Sequence, residues 1–84
     1  MSRDKAIIVF HSTKRNIVVD VEVPLNITAT ELAIGLNEAY KLGIDVSDVK
    51  KCYLKAENPI ALLRGNKTLA QYGIRNGSIV YDAE

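Results

Sequence analysis

Between Ile17 and Tyr40 the spacing of apolar residues changes from two to three-and-four, and Pro24 stands at the junction. In Ile17-Val18-Val19-Asp20-Val21-Glu22-Val23, the valines at 19, 21 and 23 fall on one face and Asp20 and Glu22 on the other. That alternation marks a strand with one buried and one wet face. Proline has no amide to give a sheet, so Pro24 ends the strand. Four residues later Thr28-Ala29-Thr30-Glu31 has the form of a capping box, with Ile27 and Leu32 placed to form a hydrophobic staple around it. Ala29, Leu32, Ala33, Leu36, Ala39 and Tyr40 then make a helical apolar stripe, and Gly43 supplies the expected stop. Ile34 and Gly35 fall off the stripe. A mid-helix glycine costs roughly 1 kcal/mol relative to alanine, and a close approach to its backbone would account for it.

The remaining strands place this unit in an α+β fold. Lys5–His11 is β-branched and apolar, and the polar turn Ser12–Asn16 joins it to Ile17–Val23 as a hairpin. Ile44–Val49 is a connection, and Lys51–Ala56 a third strand. After the Glu57-Asn58-Pro59 turn comes a short fourth strand, Ile60–Leu63. Arg64–Lys67 turns again, Thr68–Tyr72 makes one helical turn, and Asn76-Gly77 leads into a last strand, Ser78–Asp82. The chain, residues 1–84, is expected to be one domain, since a length of 84 supports a single core. No apolar run approaches the roughly 20 residues that cross a bilayer, and the N-terminus lacks a secretory signal pattern. A lone cysteine, Cys52, forms no internal disulfide and fits a reducing, cytoplasmic setting.

Sequence chemistry argues against catalysis. His11 is the only histidine and sits at a strand end, where a structural or surface role is expected. Cys52, among apolar neighbours, reads as a small core residue with no second ligand for a metal beside it. Gly65 and Gly77 are turn glycines rather than a phosphate loop. No cofactor is expected. Net charge is only +1, yet residues 16–49 sum to −5 and residues 50–75 to +5. Such asymmetry can orient a partner, although solvated charges segregated only along the chain would look the same. The basic 50–75 segment carries no nucleic-acid-binding motif, and no nucleic acid partner is expected.

The capped helix, the short fourth strand and Lys67-Thr68-Leu69-x-x-Tyr72-x-Ile74 together resemble ubiquitin in order and spacing. The length and the Leu69-x-x-Tyr72-Gly73-Ile74-x-Asn76-Gly77 ending resemble more narrowly the YukD (EsaB) type, the small ubiquitin-like component of type VII, WXG-protein secretion systems of Gram-positive bacteria. The resemblance implies a β-grasp with a mixed five-stranded sheet, order 2-1-5-3-4, packed on one helix plus a short helical turn. It implies that Tyr72 bonds the backbone of the preceding turn. It also implies a non-enzymatic protein-interaction module, a cytosolic accessory or regulatory component that docks on the membrane machinery or a regulator without inserting into the membrane. The alternative is a modifier or sulfur carrier activated at its C-terminus. Such a role needs a Gly-Gly tail that can enter narrow activating sites, whereas this sequence has no glycine after Gly77.

The sheet face turned away from the helix is then the expected contact surface. By the resemblance, Ile7 and Val9 match core positions, so Ile8, Phe10 and Val18 point outward. Cys52 and Leu54 go inward and Tyr53 outward, while Ile79 and Tyr81 go inward and Val80 outward. Ile8, Phe10, Val18, Tyr53 and Val80, flanked by Lys51 and Lys55, form the expected protein-binding patch, open to a partner or to a second copy in a homodimer. A one-residue slip of the first strand would instead bury Ile8 and Phe10, and the unbroken Ala6–Phe10 run leaves both registers open. On the first register, Phe10→Ala and Tyr53→Ala should weaken partner capture with little change in melting temperature.

Overall fold

The computed structural model describes residues 4–48 and 50–82. Val49, in the expected Ile44–Val49 connection, and the ends Met1–Arg3 and Ala83–Glu84 lie outside these. Two long strands open the fold, β1 (Lys5–Ser12) and β2 (Ile17–Pro24), followed by helix α1 (Ala29–Tyr40). Three short strands complete it: β3 (Leu54–Glu57), β4 (Ala61–Leu63) and β5 (Ile79–Asp82). The sheet has the expected order β2-β1-β5-β3-β4, with β1 and β5 parallel and the other pairs antiparallel.

The helix begins as its sequence dictates. Thr28 Oγ1 accepts from the Glu31 amide at 3.1 Å, and the Thr28 amide donates to Glu31 Oε1 at 2.9 Å. Ala29, Leu32, Ala33 and Leu36 are buried, whereas Ala39 is exposed. The stop differs from expectation: Lys41, not Gly43, takes the left-handed capping conformation, at φ 54°. Outside groups serve the last carbonyls. The Arg15 guanidinium donates to the carbonyls of Tyr40 and Lys41, and Lys14 Nζ to that of Leu42 at 2.8 Å. The hairpin turn thus holds the helix end, and a lysine tolerates a backbone that glycine would adopt more readily.

Register in β1 is the main departure. The loop is four residues, Thr13–Asn16, because Ser12 belongs to the strand and pairs with Ile17. Val19 and Val21 face inward, packed against the core as expected, and their partners are therefore Phe10 and Ile8. Ile8, Phe10 and Val80 are fully buried. They are core residues, not contact residues, and Phe10 packs against Tyr40 with ring centroids 5.3 Å apart. A five-residue turn starting at Ser12 would have set Val9 opposite Val19. One residue of loop length reverses every side chain of the strand.

β5 follows the same reversal, since Phe10 neighbours Val80 across the parallel pair. Its inward positions are Val80 and Asp82, and Ser78 just before it turns the same way; all three are buried, and the two polar ones are satisfied. Ser78 Oγ donates to the Asn58 carbonyl at 2.6 Å and accepts from the Arg75 amide at 3.0 Å. Asp82 Oδ2 accepts from Ser12 Oγ at 2.7 Å, and its Oδ1 from the Thr13 amide at 3.1 Å. Burial works to raise the Asp82 pKa, but these bonds and one from the Lys14 amide outweigh it and hold the carboxyl below its ordinary value.

The closing segment is anchored by Leu69 and Ile74, both buried. Thr68 and Gln71 form a second reciprocal cap, at 2.9 and 3.2 Å. Tyr72 Oη donates to the Arg64 carbonyl at 2.7 Å, as the resemblance implied. In the Asn76-Gly77 turn, Gly77 sits at φ 87°, where a side chain would be strained. Asn76 Oδ1 accepts from the Ile7 amide at 2.8 Å, fastening the turn to β1.

Candidate interaction face

The register assigns the outer face of the sheet residue by residue. One row crosses all five strands: Val18, His11, Tyr81, Lys55 and Leu62. Beneath it run Asp20, Val9, Ile79 and Glu57, then Glu22 and Ile7. Val18 is 63% exposed, Ile7 52% and Leu62 42%. Val9, Ile79 and Tyr81 between them are half-buried. Ile60, at the head of β4, is 89% exposed. With Leu62, Tyr81 and Lys55 it borders a shallow groove of about 290 Å³. Contiguous apolar surface of this kind on a small domain marks an interface more often than a bare exterior.

Tyr81 is fixed within this face. Its Oη donates to Glu57 Oε2 at 3.1 Å across the β3–β5 pair. That hydrogen bond, then burial, then the glutamate charge raise the phenol pKa. Lys55 supplies the cation beside it, and Asp20 and Glu22 give the β2 border an acidic rim.

Of the residues expected to form the contact patch, Val18 and Lys55 lie in the upper row, with His11 and Tyr81 between them. Tyr53 and Lys51 precede β3 and sit elsewhere, bordering a polar hollow of about 390 Å³ with Lys14, Lys50, Asp45 and Asp82. At its edge the Ser47 hydroxyl donates to Asp45 Oδ1 at 2.6 Å, although Ser47 does not line the hollow, and this bond leads the contacts that lower the Asp45 pKa. Ile8, Phe10 and Val80 are in the core and take no part. Ile7, Val9, Leu62, Ile60, Ile79 and Tyr81 stand on or beside the outer face instead. The hairpin loop length was the signal that could have found the first two. Alternation in Ile60-Ala61-Leu62-Leu63 could have found Ile60 and Leu62.

Cys52 is buried, and burial, then the Asp45 charge, push its thiol pKa up, away from a reactive thiolate. Among the described residues no three His, Cys, Asp or Glu side chains converge as a metal site, and no helix is long and apolar enough to cross a membrane.

A five-stranded β-grasp sheet with one capped helix and an apolar outer face defines a ubiquitin-like protein. Solved structures support that fold. The chain is similar to the C-terminal ubiquitin-like domain of mouse tubulin-specific chaperone e, with TM-score 0.69 and 15% identity over 96% of this chain and 87% of that one. It is also similar to tubulin-binding cofactor B of Trypanosoma brucei, with TM-score 0.67 and 11% identity over 95% and 96%. The ubiquitin-like domain of Plasmodium falciparum Dsk2 gives TM-score 0.63 and 17% identity over 94% and 99%. No curated protein matches the chain. Residues 7–81 match the family described as "WXG100 protein secretion system (Wss), protein YukD", and the chain belongs to that family. It is thus a secretion-associated ubiquitin-like protein.

Proposed function

We propose that this chain is a non-enzymatic interaction module of a WXG100 secretion system, an accessory or regulatory component that works on the cytosolic side. It docks on the membrane machinery, or on a regulator of it, through the outer face of the sheet. The observation that carries this is the apolar surface from Val18 to Leu62, with Ile7 and Ile60 beside it, which the fold itself does not require. Family membership supplies the setting. No activation of a C-terminal carboxylate belongs to the proposal, and an adenylate or thioester formed with an activating enzyme and ATP would contradict it.

The test uses the double variant Ile7→Ser, Leu62→Ser, in cells carrying the secretion system. Both side chains are exposed, so the melting temperature should fall by no more than about 4–8 °C, the equivalent of about 1 kcal/mol. Recovery of the tagged chain with the membrane machinery, and export of the small WXG100 substrate, should fall at least tenfold. Unchanged recovery and export with a folded double variant would refute the outer face as the docking surface.

A further inference from the structure

Among the described residues β2 forms one border of the sheet, and the hydrogen bonds of β1 show which of its backbone groups no other described strand pairs. The Val9 amide donates to the Ser78 carbonyl at 2.9 Å, and the Gly77 amide to the Ile7 carbonyl at 3.0 Å. Ile7 and Val9 therefore aim their backbone groups at β5. These directions alternate along a strand, so Ala6, Ile8, Phe10 and Ser12 aim theirs at Val23, Val21, Val19 and Ile17 of β2. The residues between, Val18, Asp20 and Glu22, carry amides and carbonyls that point off the sheet.

Side chains at this border are also incompletely covered. Ile17, Val19 and Val21 turn inward but are only half-buried, whereas their partners Ser12, Phe10 and Ile8 are fully buried. The helix explains the difference. One flank of α1 is held toward β3, because Asn37 Oδ1 accepts from the Ile44 amide at 2.9 Å. Gly35 and Ala39 occupy the opposite flank, on the β2 side, and both are small and exposed. The helix therefore leaves apolar surface of β2 unshielded beside the free backbone edge.

We infer that this edge accepts an extended segment of a partner protein as an added strand, and that the segment alternates basic and apolar residues. The charges on β2 select it. Residues opposite Glu22 and Asp20 on the outer face would be basic, and the residue opposite Val18 apolar. The residues between them would turn inward and cover Val19 and Val21. In an antiparallel arrangement the segment reads basic, apolar, basic, apolar, apolar. In the register centred on Asp20, a second copy of this chain does not fit. Antiparallel pairing of β2 with itself about Asp20 would set two aspartates face to face and each Glu22 against Val18. At the other border β4 has only three residues and offers too short an edge. Affinity would come mainly from backbone bonds, with the carboxylates setting specificity and direction.

The test is titration of the full chain with a capped peptide centred on Lys-Val-Lys-Val-Val, followed by amide hydrogen exchange and backbone chemical shifts. Exchange of the Val18, Asp20 and Glu22 amides should slow at least tenfold at saturation. A Glu-Val-Glu-Val-Val peptide should fail to protect them, and the double variant Asp20→Lys, Glu22→Lys should reverse that preference. The double variant Ile7→Ser, Leu62→Ser should bind the basic peptide as the parent does, which separates this edge from the outer-face docking proposed above. Absence of saturable binding by the basic peptide would overturn the inference. So would equal binding of the two peptides by the parent chain, or protection confined to Val9, Ile79 and Tyr81.

Discussion

Asp82 shows how a single side chain joins distant parts of this chain. It fastens the end of β5 to the β1–β2 turn, whose Lys14 and Arg15 in turn hold the helix end. Asp82→Ala leaves buried donors without an acceptor and should cost about 1–3 kcal/mol at neutral pH. The folded pKa is lowered, so the charged form stabilises the fold. That contribution is complete above the unfolded value of about 3.9 and is lost as pH falls through the folded value. Urea midpoints at neutral pH and at about pH 3 should therefore show the gap between parent and variant narrowing in acid. An equal gap at both would mean that the carboxylate charge contributes nothing. Gly35 makes the opposite case. A Cβ added there meets nothing within 4 Å, so no close approach within the chain requires the glycine. Gly35→Ala should raise stability by about 0.5–1 kcal/mol, read as a higher melting temperature. Nothing in the packing of the described residues requires glycine there; what it does is leave the helix flank beside β2 without a side chain at that position.

At the level of elements, the helix and its cap were legible because every local cue agreed: a period of three and four, a threonine at the cap and a glutamate three residues on. β2 was legible for the same reason, since Asp20 and Glu22 leave one choice of face. β1 was not. Its run Ala6–Phe10 is apolar at every position, so periodicity is silent and the loop length decides the register. β5 was misleading for a different reason. Asp82 and Ser78, the residue before the strand, are buried, so hydropathy favours the wrong face unless their partners Ser12 and Asn58 are known. The correction reverses one expected outcome. Phe10→Ala should not be silent but should cost about 3–5 kcal/mol, visible as a large fall in the denaturant midpoint. Thr68→Ala tests the second cap in the same assay, with an expected cost of about 1 kcal/mol. Its reciprocal bonds with Gln71 went unread because the segment is only one turn long.

The whole molecule offers one internal probe of these costs. Cys52 is the sole cysteine, 2% exposed, with its pKa raised by burial and the Asp45 charge. It lies between the α1 connection and β3, packed in the same core as Phe10, Leu54 and Val80. A thiol reagent should therefore reach it only when the core opens. For a domain of ordinary stability, labelling should be at least about a thousandfold slower than in the denatured chain. Core variants then make a quantitative demand. If opening is global, each loss of about 1.4 kcal/mol should speed labelling tenfold. Phe10→Ala should accelerate it by at least about a hundredfold, and Gly35→Ala should slow it severalfold. Outer-face variants such as Ile7→Ser should leave the rate within severalfold of the parent, because that face carries little of the core. Rates that ignore the order of the measured stabilities would show instead that Cys52 is exposed by a local opening of the connection before β3. The outer face of the sheet would then sit on a scaffold that opens from one end.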